Sequence, residues 1–295
     1  MIPIVTVTYT PDKWCMMLQA HSIEKFVSEP TTHYVFIEDD RTSMLEWECL
    51  LKPIYKRHKL VLLNKESAPD MYLKAPYKVG KQLMFSGWTR QQYVKLHVSK
   101  MIREEYYLIL DSKNIFFKSI NLKDTFYGKE GSGSVLNLDV PDDQLHESLP
   151  YWLNWMKLIE FKYRIPRPKK TWFTGTPFVF KTDIAKHIVN TYDIEELFTE
   201  AWGDGGDNRV HISEFMLYSY FTNSERINWR CSGGYLGGGL EWLKGDSTVY
   251  SVFTMYRLEL DNGNNRDIIK QFFLDAGLDE KYVVPAVYLT SAKNR

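Results

Sequence analysis

The chain has few cysteines and no pattern among them. Cys15, Cys49 and Cys231 are the three in 295 residues, far apart and without Cys-x-x-Cys spacing, which leaves neither a disulfide framework nor a zinc site indicated. A reducing compartment is the default that follows. Charge of one sign is not in excess either: 37 Lys plus Arg stand against 37 Asp plus Glu, so a broad basic surface for nucleic acid is not expected. No stretch of about 18 apolar residues occurs. The start, Met1-Ile2-Pro3-Ile4-Val5-Thr6-Val7-Thr8, lacks a basic n-region and a long apolar core, so export and a membrane span are not expected and a cytoplasmic location is. The glycine signatures are missing as well, since no Gly-x-Gly-x-x-Gly follows the first strand and no Gly-Lys-Ser/Thr exists. A dehydrogenase is thereby disfavoured. Aromatics, in contrast, are plentiful, with 9 Trp, 19 Tyr and 16 Phe; most belong in a core, but flat amphipathic rings also suit stacking on sugars and nucleobases. At 44% hydrophobic and 25% charged the composition is that of an ordinary folded protein, long enough for one large domain or two small ones.

The first hundred residues alternate strand and helix signals. Ile4 to Tyr9 is a β-branched apolar run, Thr10-Pro11-Asp12 is a turn and helix start, and Lys13 to Phe26 carries Trp14, Met17, Leu18, Ile23 and Phe26 near one helical face. Thr32 to Ile37 reads as a second strand closed by Glu38-Asp39-Asp40, Ser43 to Arg57 as a second helix, and Lys59 to Leu63 as a third strand. This βαβαβ rhythm predicts a parallel sheet. The pattern loosens from Ala68 to Gly87, a long loop or short insertion. A helix from Trp88 to Ile102 then feeds the strand ending at Asp111. Farther on, Lys129 to Ser134 reads as a turn and Val135 to Leu138 as a short strand. An aromatic helix follows between about Asp142 and Tyr163, then the basic, proline-interrupted run Arg164 to Lys170. Thr174 to Asp183 is a glycine turn, a strand and a helix start; helices are expected at Asp183 to Tyr192, Val210 to Phe221 and, last in the chain, Arg266 to Ala276, stopped by Gly277.

The richest segment is Tyr106-Tyr107-Leu108-Ile109-Leu110-Asp111-Ser112-Lys113-Asn114. An apolar run flanked by charge reads as a buried inner strand. In an open α/β sheet ligands bind beyond the carboxyl ends of such strands, which makes the terminal carboxylate, hydroxyl, ammonium and amide candidates for chemistry. A strand end capped by solvated polar groups is the equal alternative.

Taken in order, Gly87-Trp88-Thr89-Arg90-Gln91-Gln92, Lys95-Leu96, Asp111-Ser112-Lys113, Gly175-Thr176-Pro177-Phe178-Val179-Phe180, Ser213-Glu214-Phe215-Met216-Leu217-Tyr218 and, more weakly, Ser251-Val252-Phe253-Thr254-Met255 resemble a GT-A-type glycosyltransferase. The closest resemblance is to a bacterial and phage glycosyltransferase-like family with a Gly-Trp-x-x-Gln-Gln, Lys-Leu and Asp-Ser-Asp pattern. No one of these motifs is highly specific; their order and spacing carry the likeness. It implies a GT-A-like α/β fold with a mixed, mainly parallel sheet in a single domain over residues 1–295, made of a nucleotide-sugar half (1–125), an acceptor and catalytic half (126–260) and a C-terminal helix and tail (261–295). It also implies transfer of a sugar from a nucleotide-diphosphate sugar to a glycan or other hydroxyl acceptor, in polysaccharide biosynthesis or the modification of another polymer.

Within such a family the Asp-x-Asp pair holds Mn2+ or Mg2+ against the donor diphosphate. Here Lys113 stands at the second aspartate, and an ammonium repels a metal. Three outcomes follow: Lys113 itself offsets the diphosphate charge, or the donor site has decayed to a binding-only module, or Asp111 alone holds a weak metal with help from water and donor oxygens. The resemblance places Thr8, Tyr9 and Asp39 at the nucleotide, against a rim aromatic for Tyr9 and a turn residue for Asp39. It places Gln92 and Lys95, which share a helical face, at the donor phosphates or sugar, against a solvated helix surface. Asp111, Ser112 and Lys113 complete the donor set. Glu214 is the leading candidate for base or acceptor contact, with an exposed helix carboxylate as its plain alternative, and Asp207 and Asp204 come second. His211 assists Glu214 or is structural, and Thr174 and Gly175 lie beside the acceptor. The glycine-rich Ser232 to Gly239 is a loop closing on the donor or a plain connector. A nucleotidyltransferase is the further alternative.

Overall fold

The computed structural model describes residues 1–39, 41–72, 77–79, 82–84, 87–124, 137–138, 150–166, 171–172, 176–200, 213–221, 252–254 and 266–289. Strands β1 (Ile4–Thr8), β2 (Thr32–Ile37) and β3 (Lys59–Asn64) alternate with helices α1 (Lys13–Phe26) and α2 (Met44–Leu51). These three strands pair in parallel in the order in which they occur, as the alternation predicts. Helix α2 is shorter than its expected span, ending two residues before Pro53. Lys52 before it is still helical, but Pro53 has no amide to donate to the next carbonyl in line, so the helix stops there.

The segment from Ala68 to Gly87, read as a long loop or a short insertion, contains a 3-10 turn at Pro69–Met71 and a small hairpin of β4 (Tyr77–Val79) and β5 (Gln82–Met84). Helix α3 (Gly87–His97) follows, then a 3-10 turn at Val98–Lys100, and then β6 (Tyr106–Asp111). β6 pairs in parallel with β1 on one side and antiparallel with β10 (Phe178–Lys181) on the other. The sheet order is therefore β10-β6-β1-β2-β3, a mixed and mainly parallel α/β sheet. β1 is buried throughout and β6 from Tyr107 to Leu110, in keeping with inner strands that read as continuous apolar runs.

After β6 the chain turns tightly into β7 (Asn114–Phe116), which pairs with β11 (Val252–Thr254). Between them come β8 (Asn137–Leu138), α4 (Pro150–Tyr163), β9 (Thr171–Trp172), α5 (Thr182–Thr191), α6 (Ile194–Glu200) and α7 (Glu214–Ser219). Helix α6 was not anticipated, yet its signal is present: the amide of Glu196 donates to Asp193 Oδ1 at 2.9 Å, an acidic cap before the first turn. α8 (Arg266–Asp275) matches the expected last helix, but α9 (Glu280–Leu289) follows it and corrects that expectation. Pro285 inside α9 and the β-branched Val283 and Val284 hid it. α9 packs on α1 and on α8, so α1 is covered on more than its sheet side; Cys15, Met16, Gln19, Ala20 and Ser22 are buried along with the expected Leu18, Ile23 and Phe26, whereas the expected Trp14 and Met17 are only partly buried.

Candidate active site

The chain runs outward from β1 to β3, and β6 returns to the opposite side of β1. The strand order thus reverses between β1 and β6, and the crevice beyond Thr8 and Asp111 is the topological switch point where open α/β sheets bind ligands.

At that point three elements bring their charges together. Lys95 of α3 places Nζ 3.0 Å from Asp111 Oδ1 at the end of β6 and 3.2 Å from Glu214 Oε1 at the start of α7. Thr176, just before β10, donates its hydroxyl to Asp111 Oδ2 at 2.9 Å. Gln92, one turn before Lys95 on the same face, turns its amide nitrogen onto the Glu214 carboxylate. The side chain of Glu214 is 0% exposed and that of Lys95 4%, whereas Asp111 keeps 18%. Gln92 and Lys95 are therefore not on a solvated helix surface, and Glu214 is not an exposed helix carboxylate. Local anchors hold the geometry: the Tyr107 hydroxyl donates to the Lys95 carbonyl at 3.0 Å, and Ser213 caps α7 by accepting the Phe215 amide.

Two carboxylates and one ammonium enclosed together interact strongly because little water screens them. Burial raises the pKa of Glu214, as does the Asp111 charge, while Lys95 pulls it down; the net direction is upward. For Lys95 burial favours the neutral amine, but Asp111 and Glu214 outweigh it and hold the ammonium protonated. The cluster can hold an extra proton on Glu214 without breaking the Lys95–Asp111 pair.

The rest of the tetrad after β6 turns elsewhere. Asn114 accepts the Asp111 amide on its side-chain oxygen at 2.7 Å and so closes the turn. Ser112 donates to Asp12 Oδ2 at 2.6 Å, and Lys113 Nζ lies 3.7 Å from Asp12 Oδ1 with its side chain 3% exposed. Their shared partner Asp12 sits at the start of α1, and the cation beside Asp111 is Lys95, not Lys113.

Beyond the ends of β1 and β2, Asp39 Oδ1 accepts the amide and the hydroxyl of Thr10 at 3.0 and 2.7 Å, and Arg41 pairs with its other oxygen at 2.6 Å. Asp39 thereby braces the Thr10–Asp12 turn. Two neighbours are different: Thr8 Oγ1 and Glu38 Oε1 are both shielded from solvent and have no hydrogen-bond partner. Such atoms cost about 1–3 kcal/mol each when left unsatisfied, and each calls for an explanation. Burial raises the Glu38 pKa to about 8 in spite of Arg90 and Lys95, which lower it. Glu38 was read only as part of an acidic strand closure; its burial could not be seen without the sheet. Tyr9, the first residue past β1, is partly buried.

A divalent cation at Asp111 would need its oxygens turned to the ion, yet Oδ1 faces an ammonium and Oδ2 a hydroxyl donor. These groups do not fit a metal. Among the described residues no group of three or more His, Cys, Asp or Glu side chains is placed to hold one. Asp204, Asp207, His211, Thr174, Gly175 and the Ser232 to Gly239 loop lie outside the described residues. Among those residues no helix is long and apolar enough to cross a membrane.

The fold and this cluster define an α/β protein with a buried carboxylate–ammonium–carboxylate group at the ligand edge of its sheet. The chain belongs to the family described as "Family of unknown function (DUF6492)", which matches residues 2–232. A search of functionally curated proteins finds no match. Among solved structures, mouse xyloside xylosyltransferase 1 in its apo form is similar with a TM-score of 0.47 and 9% identity, over 86% of this chain and 97% of that one. Galactosyltransferase LgtC in complex with donor and acceptor sugar analogs gives 0.43 and 11%, over 75% and 70%. TarS 1–349 of S. aureus gives 0.40 and 11%, over 98% and 70%. At TM-scores below 0.5 these likenesses bear on neither substrate nor chemistry.

Proposed function

We propose that the chain is a GT-A-like glycosyltransferase that moves a sugar from a nucleotide-diphosphate sugar to a glycan or other hydroxyl acceptor, and that it does so without a divalent cation. The observation that carries this reading is the placement of Asp111 at the switch point with an ammonium, rather than a metal, against its carboxylate. Asp111 is the exposed edge of the cluster and contacts the donor, while Ser112 and Lys113, held by Asp12, fix the start of α1 beneath the diphosphate. Thr8 and Glu38 offer their unpartnered oxygens to base or ribose beside Tyr9, with Asp39 bracing that wall. Glu214, whose pKa is raised, takes up the proton that the acceptor hydroxyl releases, and Lys95 and Gln92 hold its carboxylate in place. Asp207, His211, Thr174 and Gly175 stay with the acceptor in this reading.

A second reading has its own observation: Glu214 is fully enclosed and both Asp111 oxygens are engaged within the protein, as in a module that binds nucleotide or glycan without turning it over. Incubation with a panel of nucleotide sugars and chelator separates the two. Release of nucleoside diphosphate, abolished by Asp111→Asn, is the expected result; bound but uncleaved donor would establish the module instead.

A further inference from the structure

Beneath the cluster a chain of buried hydrogen bonds runs across the sheet from β2 to the turn that carries Asp111. The hydroxyl of Tyr55 is 2.5 Å from His33 Nδ1, and His33 Nε2 is 2.9 Å from Thr6 Oγ1. Thr6 donates to Gln19 Oε1 at 2.9 Å. The Gln19 amide nitrogen donates to the carbonyls of Asp111, at 2.6 Å, and Asn114, at 2.9 Å. Thr6, Gln19 and His33 are all 0% exposed and Tyr55 is 9%. Such a chain is an unusual use of a sheet interior, where apolar groups would pack more simply.

The direction of every proton in it follows from its far end. Two carbonyls can only accept, so Gln19 must present its nitrogen to them and its oxygen to Thr6. A hydroxyl has one proton, and Thr6 spends it on that oxygen; toward His33 it can only accept. His33 must then carry its proton on Nε2, which leaves Nδ1 as an acceptor for the Tyr55 hydroxyl. Burial, helped by the nearby His58, holds the His33 pKa far down at about 3, so the ring is neutral and has one tautomer. Reversing any one link would leave two donors or two acceptors face to face.

We propose that Gln19 is a positioning residue for Asp111, and that Tyr55, His33 and Thr6 form a one-way hydrogen-bond chain that fixes the orientation of its amide. The chain sets the Asp111–Asn114 turn, which in turn aims the Asp111 carboxylate at Lys95 and Thr176. Ser22, one turn farther along α1, reinforces this by accepting the amide of Phe116 in β7 at 3.2 Å. The geometric part of the proposal is independent of the transferase reading, and only its effect on donor handling rests on that reading.

The test begins with the wild-type protein and needs no ligand. Long-range 15N–1H correlation of the His33 ring should give the neutral pattern with the proton on Nε2 from pH 5 to 8; a proton on Nδ1, or an imidazolium, overturns the chain. Thr6→Val removes the hydroxyl at nearly constant shape. The amides of Asp111 and Asn114 should then shift and exchange with solvent about tenfold faster, the effect of losing roughly one buried hydrogen bond, and Thr6→Ser should restore both. Unchanged turn amides in Thr6→Val would show that the chain does not position Asp111. If Thr6→Val fails to fold, Gln19→Met reads the same turn amides with the same expectations. With donor present, Thr6→Val should lower kcat more than it raises KM, as expected when the clamp tightens only around the reacting geometry. If the wild type handles no nucleotide sugar, the transferase reading falls while the tautomer and the turn amides still decide this one.

Discussion

Lys95 is the residue on which the cluster's charge balance depends. Lys95→Met would leave Asp111 and Glu214 facing each other with no cation between them, and stripping one partner from a buried ion pair costs about 3–5 kcal/mol. Urea unfolding at pH 7 should register that loss, and the deficit should shrink as pH falls and Glu214, whose pKa is raised by burial, takes up a proton. A cost below about 1 kcal/mol would mean that water screens the cluster. Glu38 gives a second residue-scale prediction. Its pKa is raised from 4.5 to about 8 by burial, so the folded state binds the proton more tightly than the unfolded chain does. The stability it contributes is therefore complete below about pH 4.5 and is lost as pH rises through about 8. Glu38→Gln cannot lose a proton, so the wild type should fall relative to the variant between those limits. Parallel stability profiles for the two proteins would contradict the burial of that carboxyl. Part of this was legible from residues alone: Asp111, Gln92, Lys95 and Glu214 were all named from motif positions, and the structure brings them together. Thr176 was named only as a member of a motif, and Asp12 only as a turn residue, because their partners lie 65 and 100 positions away in the chain.

Among the elements, α1 and β2 begin and end where the sequence pattern puts them, at Lys13–Phe26 and Thr32–Ile37. Their boundaries are set locally, by the Thr10-Pro11-Asp12 turn before α1 and by β-branched and aromatic residues in β2. Gly277 is a local signal of the same kind. Its φ of +81° lies in the left-handed region. Its amide donates to Leu274 at 2.7 Å while Leu278 donates to Phe273 at 3.0 Å, the paired bonds of a Schellman ending to α8. Gly277→Ala should cost about 1 kcal/mol through its backbone alone. The added methyl would also meet Lys25 Nζ at 2.8 Å, a flexible end that can move aside. A scanning calorimetry trace identical to that of the wild type would refute the strain. Helix α9 was missed because its stability is not local. Pro285 removes a helical hydrogen bond, and burial of Val283, Ala286 and Val287 offsets the loss; that contribution exists only with α1 in place.

At the scale of the molecule the parallel strands carry the polar groups of β1, β2 and β6 to one edge, and the reversal between β1 and β6 opens that edge as a crevice. If an ammonium does there what a metal does elsewhere, ligand binding should stabilise the whole fold without added cation. A nucleoside diphosphate at about a hundred times its Kd should raise stability by about 2.7 kcal/mol, and differential scanning fluorimetry should show the same rise with chelator as with manganese. A shift that needs manganese would return the metal to Asp111; no shift with any nucleotide would remove the donor site altogether.

By itself the sequence determined the α/β class, the parallel strands β1, β2 and β3 with the helices between them, and the polar end of β6 at Asp111, because strand, turn and cap signals depend on neighbours a few residues apart. Only the tertiary structure decided which of two lysines stands against Asp111. A tight turn closed by Asn114 sends Lys113 toward Asp12, while α3, laid over the sheet edge, brings in Lys95. The same packing left Thr8 and Glu38 with unpartnered oxygens in the crevice. Burial and pairing of charge depend on how distant segments pack, and the pattern of neighbours along the chain does not encode that.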